Sequence, residues 1–300
     1  MPNTTIISGS YTQYAKLSLG SSSKKISLTG FSAVFRKNKI ISNGAWRFAN
    51  GVNEISQHKG SYFQDVPSVD LTITFEIDAN LLEDIFNTIR DERNQNFEVA
   101  FYDQDSDISW KFEECYLNNL SFSVGMDSIL NISMGFFVHL EKVSYSWGKR
   151  ELHAINQTDL PLTDPIAYYE WKIQDDDGEI LDVTDFSFNF IQQLIPKYGC
   201  LGIQSQTAPI SSHILFGLPE MSCTITRVMY KADSIDFSQD DKGTHMNQRN
   251  RFNSEKLSFE IRNRSIFTLT GVNASEITPS FDGNYHTYTT NYDIHGILKK

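Results

Sequence analysis

The sequence predicts a mainly β (α+β) protein of two tandem antiparallel β domains, barrel or sandwich in type, spanning residues 1–150 and 151–300. Three observations lead there. The chain has 300 residues, twice an ordinary domain of about 150. Apolar and polar residues alternate with a period of two through much of the first half. The second half repeats parts of the first in order and at nearly constant spacing.

Val69-Asp70-Leu71-Thr72-Ile73-Thr74-Phe75-Glu76-Ile77 places an apolar residue at every odd position and a polar one at every even position. That is the pattern of a strand with one buried face. The same reading marks Ile26–Phe35, Phe97–Tyr102, Ile108–Phe112, Leu120–Val124 and Leu130–Phe136 as strands. Asp103–Asp107 and Gly125–Ser128 are the turns between them, so the strands form hairpins and an antiparallel sheet.

One helix interrupts the strands. Leu81, Leu82, Ile85, Phe86 and Ile89 recur at spacings of three and four before Arg90, with Asn80 as the expected cap and Glu83 as its capping-box partner. Between Arg36 and Asp65 lies a long polar segment with Asn43-Gly44, Asn50-Gly51 and Lys59-Gly60. It reads as a loop far beyond ordinary hairpin length, and Trp46 and Phe48 within it favour a contact surface.

Thr29–Phe35 aligns with Thr184–Phe190, and Pro67–Thr74 with Pro219–Thr226. Asn118, Phe122 and Asp127 align with Asn273, Ile277 and Asp282. Collinear matches of this kind suggest a tandem duplication. The boundary is expected within Trp147–Pro165, where Gly, Asn, Asp and two prolines break the pattern, and the second domain begins near Ala167. Its loop is expected over Gln192–Leu218, and the polar stretch Lys231–Asn253 replaces or follows the helix.

The composition narrows the function. With 40% hydrophobic and 21% charged residues the chain can bury ordinary cores, and a net charge of −11 argues against a surface that grips phosphates. Cys115, Cys200 and Cys223 show no metal spacing, which fits assembly in a reducing compartment. No apolar run is long enough to span a membrane, and the start has no signal-peptide pattern, so a soluble protein not exported by that route is expected.

Catalytic motifs are not found. The histidines at 58, 139, 153, 213, 245, 286 and 295 share no metal spacing, and no nucleophile elbow is present. Gly20–Lys25 lacks the glycine before the lysine that a phosphate loop needs. Asp103, Asp105, Asp107 and Glu114 occupy calcium-loop positions, but Ile108 stands where glycine is required, so an acidic hairpin turn is expected. Asp175–Gly178 reads as another turn. No cofactor and no metal follow from the sequence.

The order strand, long hairpin segment, alternating strand, short helix and closing hairpins resembles the tail-tube fold of bacteriophage tails and related contractile injection machines. Leu117–Phe136 is the stretch most similar to the closing hairpin of such proteins. In that family six tube domains form a ring around a channel, and rings stack through the long loop. Chains with two fused tube domains serve as tubes or central baseplate hubs, three chains per pseudo-sixfold ring. The resemblance therefore implies a structural virion protein, a homotrimer in the tail, assembled in the host cytoplasm. It implies contacts with itself and with other tail or baseplate proteins, DNA passing without tight binding, no membrane insertion and no enzymatic activity.

If the odd positions of Val69–Ile77 pack against the helix, then Asp70, Thr72, Thr74 and Glu76 face the other way. Ser121, Ser123, Asn131 and Ser133 share the polar face of the last hairpin. Thr224 and Thr226 are their expected counterparts in the second half, although Arg227 and Val228 replace Phe75 and Glu76. All ten are candidates to line the channel, where small polar and acidic groups would let DNA slide. Trp46 and Phe48 are the candidates for ring-to-ring contact. A rival reading is a β-sandwich binding module of a tail or receptor-recognising component, stacking sugar on Trp46, Trp147 or Tyr168. An all-β hydrolase using paired carboxylates is a third.

Overall fold

The computed structural model describes the chain except for residues 1–2, 10–12, 21, 38, 49–54, 64–66, 91–95, 104–106, 127, 149–163, 177, 181, 199–210, 230–253, 283–284 and 299–300. For some strand residues, including 3–9, 39–48 and 55–63, it describes the backbone alone. The expected strands are present with changed bounds: Ile108–Phe112 and Leu120–Val124 are parts of one continuous strand, and the strand expected at Val69–Ile77 is shifted by one residue. In chain order they are β1 (Asn3–Gly9), β2 (Gln13–Leu19), β3 (Ser22–Lys37), β4 (Lys39–Phe48), β5 (Ile55–Phe63) and β6 (Ser68–Glu76), followed by helix α1 (Ala79–Arg90). Next come β7 (Asn96–Asp103), β8 (Ile108–Gly125), β9 (Asn131–His139) and β10 (Val143–Trp147). The second half contains β11 (Trp171–Asp175), β12 (Gly178–Glu179), β13 (Val183–Tyr198), β14 (Ser211–Met229), β15 (Ser254–Ile261), β16 (Arg264–Asp282) and β17 (Tyr285–Ile297).

The first half closes on itself. Strands β8, β7, β2, β3, β6 and β9 pair in that order, and β9 returns to β8, giving a six-stranded antiparallel barrel. Closure removes the free edges that an open sheet would expose. The interior is filled by the apolar positions of the alternation: Leu71, Ile73 and Phe75 on β6, Ile132, Met134 and Phe136 on β9, all at most 1% exposed.

The second half repeats the strand order without the closure. Pairings β13–β14, β14–β17, β17–β16, β16–β15 and β15–β11 match β3–β6, β6–β9, β9–β8, β8–β7 and β7–β2, but β11 does not pair with β13 as β2 pairs with β3. The register agrees with two of the sequence matches. Gly30 faces Thr74 and Asp185 faces Thr226, so residues aligned between the halves are cross-strand partners in both. The third match lies two positions out of register. Thr74 leads across β9 to Ser121, whereas Thr226 leads across β17 to Thr278.

Strand β8 joins the halves. Its Asn119–Gly125 end pairs with Ile191–Asp185 of β13, so one sheet runs from the barrel into the second half. Helix α1 covers the junction. Its buried Leu81, Leu82, Ile85, Phe86 and Ile89 form the expected apolar face, and Phe86 reaches Phe122, Phe188 and Phe267 from both halves. The core is therefore shared. The boundary expected over Trp147–Pro165 falls mostly on residues outside the description.

Three sequence expectations need correction. The described residues of Arg36–Asp65 are strand rather than loop: β3 extends to Lys37, and β4 pairs with β5 as a separate two-stranded hairpin. The described residues of Gln192–Leu218 are likewise strand, the outer arms of the β13–β14 hairpin. Glycine and polar side chains do not prevent strand formation when the backbone finds a ladder partner. The α1 cap is Asp78 rather than Asn80. Its carboxylate accepts the Leu81 N–H at 2.7 Å, while Asn80 and Glu83 instead accept from Arg264 of β16. Lys231–Asn253 lies outside the described residues.

Candidate functional site

The register assembles a polar face that crosses eight strands, β3, β6, β9, β8, β13, β14, β17 and β16. One row runs Gly30, Thr74, Ser133, Ser121, Asn189, Ser222, Asp293 and Asn273. The next runs Glu76, Asn131, Ser123, Ser187, Thr224, Asn291 and Glu276. Two flanking rows carry Ser32, Thr72, Gly135, Asn119, Ile191 and Glu220, and Gly125, Asp185, Thr226, Thr289 and Thr278. Because side chains alternate across a strand, apolar rows lie between these and point the other way. Phe75, Ile132, Phe122, Phe188, Cys223, Tyr292 and Ala274 form one of them.

Nine of the ten channel candidates fall in the four polar rows. Thr72, Thr74, Glu76, Ser121, Ser123, Asn131, Ser133, Thr224 and Thr226 are all half-buried or exposed while their strand neighbours Ile73, Phe75, Phe122, Ile132 and Ile225 are buried. Asp70 shares their face on β6 at the next position out, held by the Arg36 guanidinium at 2.5 Å. Trp46 and Phe48 lie on β4 opposite Gln57 and Ile55, and their side chains are outside the described residues.

Small groups keep the face low and internally bonded. Thr224 Oγ1 donates to Asn291 Oδ1 at 2.8 Å, and the Thr226 and Thr289 hydroxyls are 3.0 Å apart. Asn291 Nδ2 in turn donates to Glu276 at 3.3 Å. Gly125 permits a close approach between the halves, since a Cβ there would stand 2.5 Å from the Asp185 carboxylate. The four rows carry the carboxylates of Glu76, Asp185, Glu220, Glu276 and Asp293, and none of their positions is Lys or Arg. These rows repel phosphate and offer it no bidentate cation, and Arg36, on the same face beyond them, is engaged by Asp70.

Asp185, Ser187, Asn189, Ser222, Asn291 and Asp293 join this face without having been singled out in sequence. The signal was present. Phe186, Phe188 and Phe190 alternate with Asp185, Ser187 and Asn189, and Tyr292 and Ile294 with Asn291 and Asp293.

A cleft of about 310 Å³ opens where β11 and β13 do not pair. Tyr168, Trp171, Ile173, Val183 and Phe186 supply apolar walls, with Lys172, Glu179 and Asp182 at its margin. The Tyr168 hydroxyl donates to the Val183 carbonyl, and the indole N–H of Trp171 is buried without a partner among the described atoms.

Two carboxylates of the calcium-loop pattern are structurally engaged. Asp107 accepts from the Tyr102 hydroxyl, and Glu114 accepts from Lys142 at 2.6 Å, while Asp105 lies outside the described residues. Among the described residues no three His, Cys, Asp or Glu side chains converge as metal ligands. Cys115 and Cys223 are buried free thiols whose pKa burial pushes well up. No described helix is long and apolar enough to cross a membrane. Neither known protein-family models nor curated proteins give a match to this chain.

Proposed function

We propose that the chain is a structural virion protein that forms a ring of a phage tail tube or central baseplate hub and lines a channel for genome delivery. In this reading each chain supplies two duplicated tube-like domains, and three chains complete a pseudo-sixfold ring. Other tail or baseplate proteins are its neighbours, and DNA passes without being held.

The observation that carries the proposal is the run of eight adjacent strands whose one face is polar and acidic through both halves. An isolated binding domain has no need for one low, uncharged-to-acidic face across two halves, whereas a conduit does. The repeated strand order and the matching register of β3–β6 and β13–β14 support the duplication. Negative-stain microscopy and sedimentation of the purified chain over a concentration series test the reading. Rings with three-fold averages are expected, and monomers alone at every concentration would reject it.

One observation favours a second reading, a binding module of a tail or receptor-recognising component. The cleft beside Tyr168 and Trp171 is aromatic and edged with carboxylates and Lys172, a combination suited to a sugar. Glycan-array binding by a monomer, lost in W171A, would support it.

A further inference from the structure

Two strand edges in this chain are related to the β8–β13 junction, and they differ in what covers them. Within the chain, Asn119–Gly125 of β8 pairs with Ile191–Asp185 of β13. The strand that corresponds to β13 is β3, and its equivalent stretch near Gly30–Arg36 is occupied instead by β1, in the register Gly9 to Phe31 through Asn3 to Lys37. The strand that corresponds to β8 is β16. Its first part pairs with β15, but from Glu276 onward only β17 lies beside it among the described residues. Accordingly Glu276, Thr278, Pro279 and Ser280 are exposed, where β8 in the same region alternates between buried and exposed.

We propose that β1 is a masking strand. It occupies, in the free chain, the β3 edge that takes the open β16 edge of a second copy during ring formation. This rests on the ring reading above and adds the surface and the control. Carrying the β8–β13 register across the strand correspondence sets Ser32 opposite Ser280, Val34 opposite Thr278 and Arg36 opposite Glu276 of the second copy. Phe35 then meets Ile277 on the apolar side. The opposed charges of Arg36 and Glu276 favour this register, with Arg36 already oriented by Asp70. Pro279 lacks an N–H, a residue type that sheets accept at edges, and it lowers the number of ladder bonds available there. An open strand edge left bare invites uncontrolled pairing, and a tethered segment competes at an effective concentration of the order of mM. Pairing between unlike edges is head-to-tail, so it closes a ring when the rotation allows.

The test uses the full chain with a disulfide lock, Ser8→Cys with Ser32→Cys, residues that face each other across β1 and β3. Oxidised, this variant is expected to remain monomeric by sedimentation velocity, and reduction is expected to restore rings. In a second variant Ile6→Pro weakens the β1 ladder, and rings are expected at roughly one-tenth of the wild-type concentration, the equivalent of about 1.4 kcal/mol. A third pair, Ser32→Cys and Ser280→Cys on separate chains, should cross-link only in rings. Circular dichroism and melting temperature establish that each variant folds. If the locked chain forms rings as readily as wild type, the masking role is overturned while the ring reading stands. If no variant assembles, reduced, oxidised or with β1 weakened, both fall.

Discussion

Phe86 of α1 lies flat on Phe267 of β16, ring centroids 3.9 Å apart at an interplanar angle of 12°. The helix belongs to the first half by sequence and to the second by this contact. The same ring touches Phe122 of β8 and Phe188 of β13, and Arg264 at the start of β16 donates to Asn80 and Glu83. Substituting F86A removes a buried ring at the meeting point of both halves. A loss of about 3–5 kcal/mol is expected, read by urea denaturation. One cooperative transition should report both halves, because they share this cluster; two separate transitions would contradict it. By contrast R264Q, an exposed contact, should cost no more than about 1 kcal/mol.

His139 provides a pH dependence. It is 5% exposed at the end of β9, its Nδ1 has no partner among the described residues, and the rings of Tyr116 and Phe137 stand edge-on to it. Burial lowers its pKa, and Glu141 and Glu114 oppose that shift while Lys142 assists it. The unfolded chain thus binds the proton more tightly than the folded one. The stabilising effect of a neutral His139 is complete above about pH 6.5 and is lost as pH falls toward the lowered folded value. Melting temperatures between pH 7 and pH 5 should therefore fall for wild type and flatten in H139Q.

Glu170 shifts in the same direction from a different cause. Arg262 grips both its oxygens, at 2.7 and 3.1 Å, and the Ala167 N–H adds a third bond at 3.0 Å, so its pKa is held below the ordinary carboxylate value. Its contribution is present above about pH 4.3 and disappears as pH drops through the folded value. The melting difference between wild type and E170Q should shrink between pH 6 and pH 3. A difference independent of pH would assign the effect to packing.

Gly271 and Gly148 form a controlled comparison. Both have positive φ, +61° and +80°, but a Cβ at Gly271 would lie 2.9 Å from the His295 Cβ, whereas one at Gly148 meets nothing within 4 Å. G148A should cost about 1–2 kcal/mol for the left-handed backbone alone. G271A should cost more, since the His295 Cβ cannot swing aside.

The strands and the apolar face of α1 were legible because a period of two or 3.6 is set by local geometry. Thr72 and Thr74 could be assigned one face of their strand on that basis, and Ser121 and Ser133 the polar face of their hairpin, while the register joins the two sets. Asp78 was missed as the cap because Asn80 satisfies the same local rule, and only Arg264, distant in sequence, draws Asn80 away. The β4–β5 and β13–β14 arms were missed for a related reason. Their residues lack strict alternation, and ladder pairing rather than one-sided burial makes them strands. The junction of β8 with β13 carries no local signature, since register between distant segments is a property of the assembled sheet.

The position of β8 also orders events during synthesis. All six barrel strands lie between Gln13 and His139, so the barrel can close before Val183 leaves the ribosome. At that moment the Asn119–Gly125 edge is already fixed by β9 and waits for β13 as a template. The second half, whose own closure is incomplete, thus grows on a finished neighbour. Strand order along the chain thus allows folding to proceed from the N-terminal half outward, and a chain synthesised with its halves exchanged would have to build the open half with nothing to grow on.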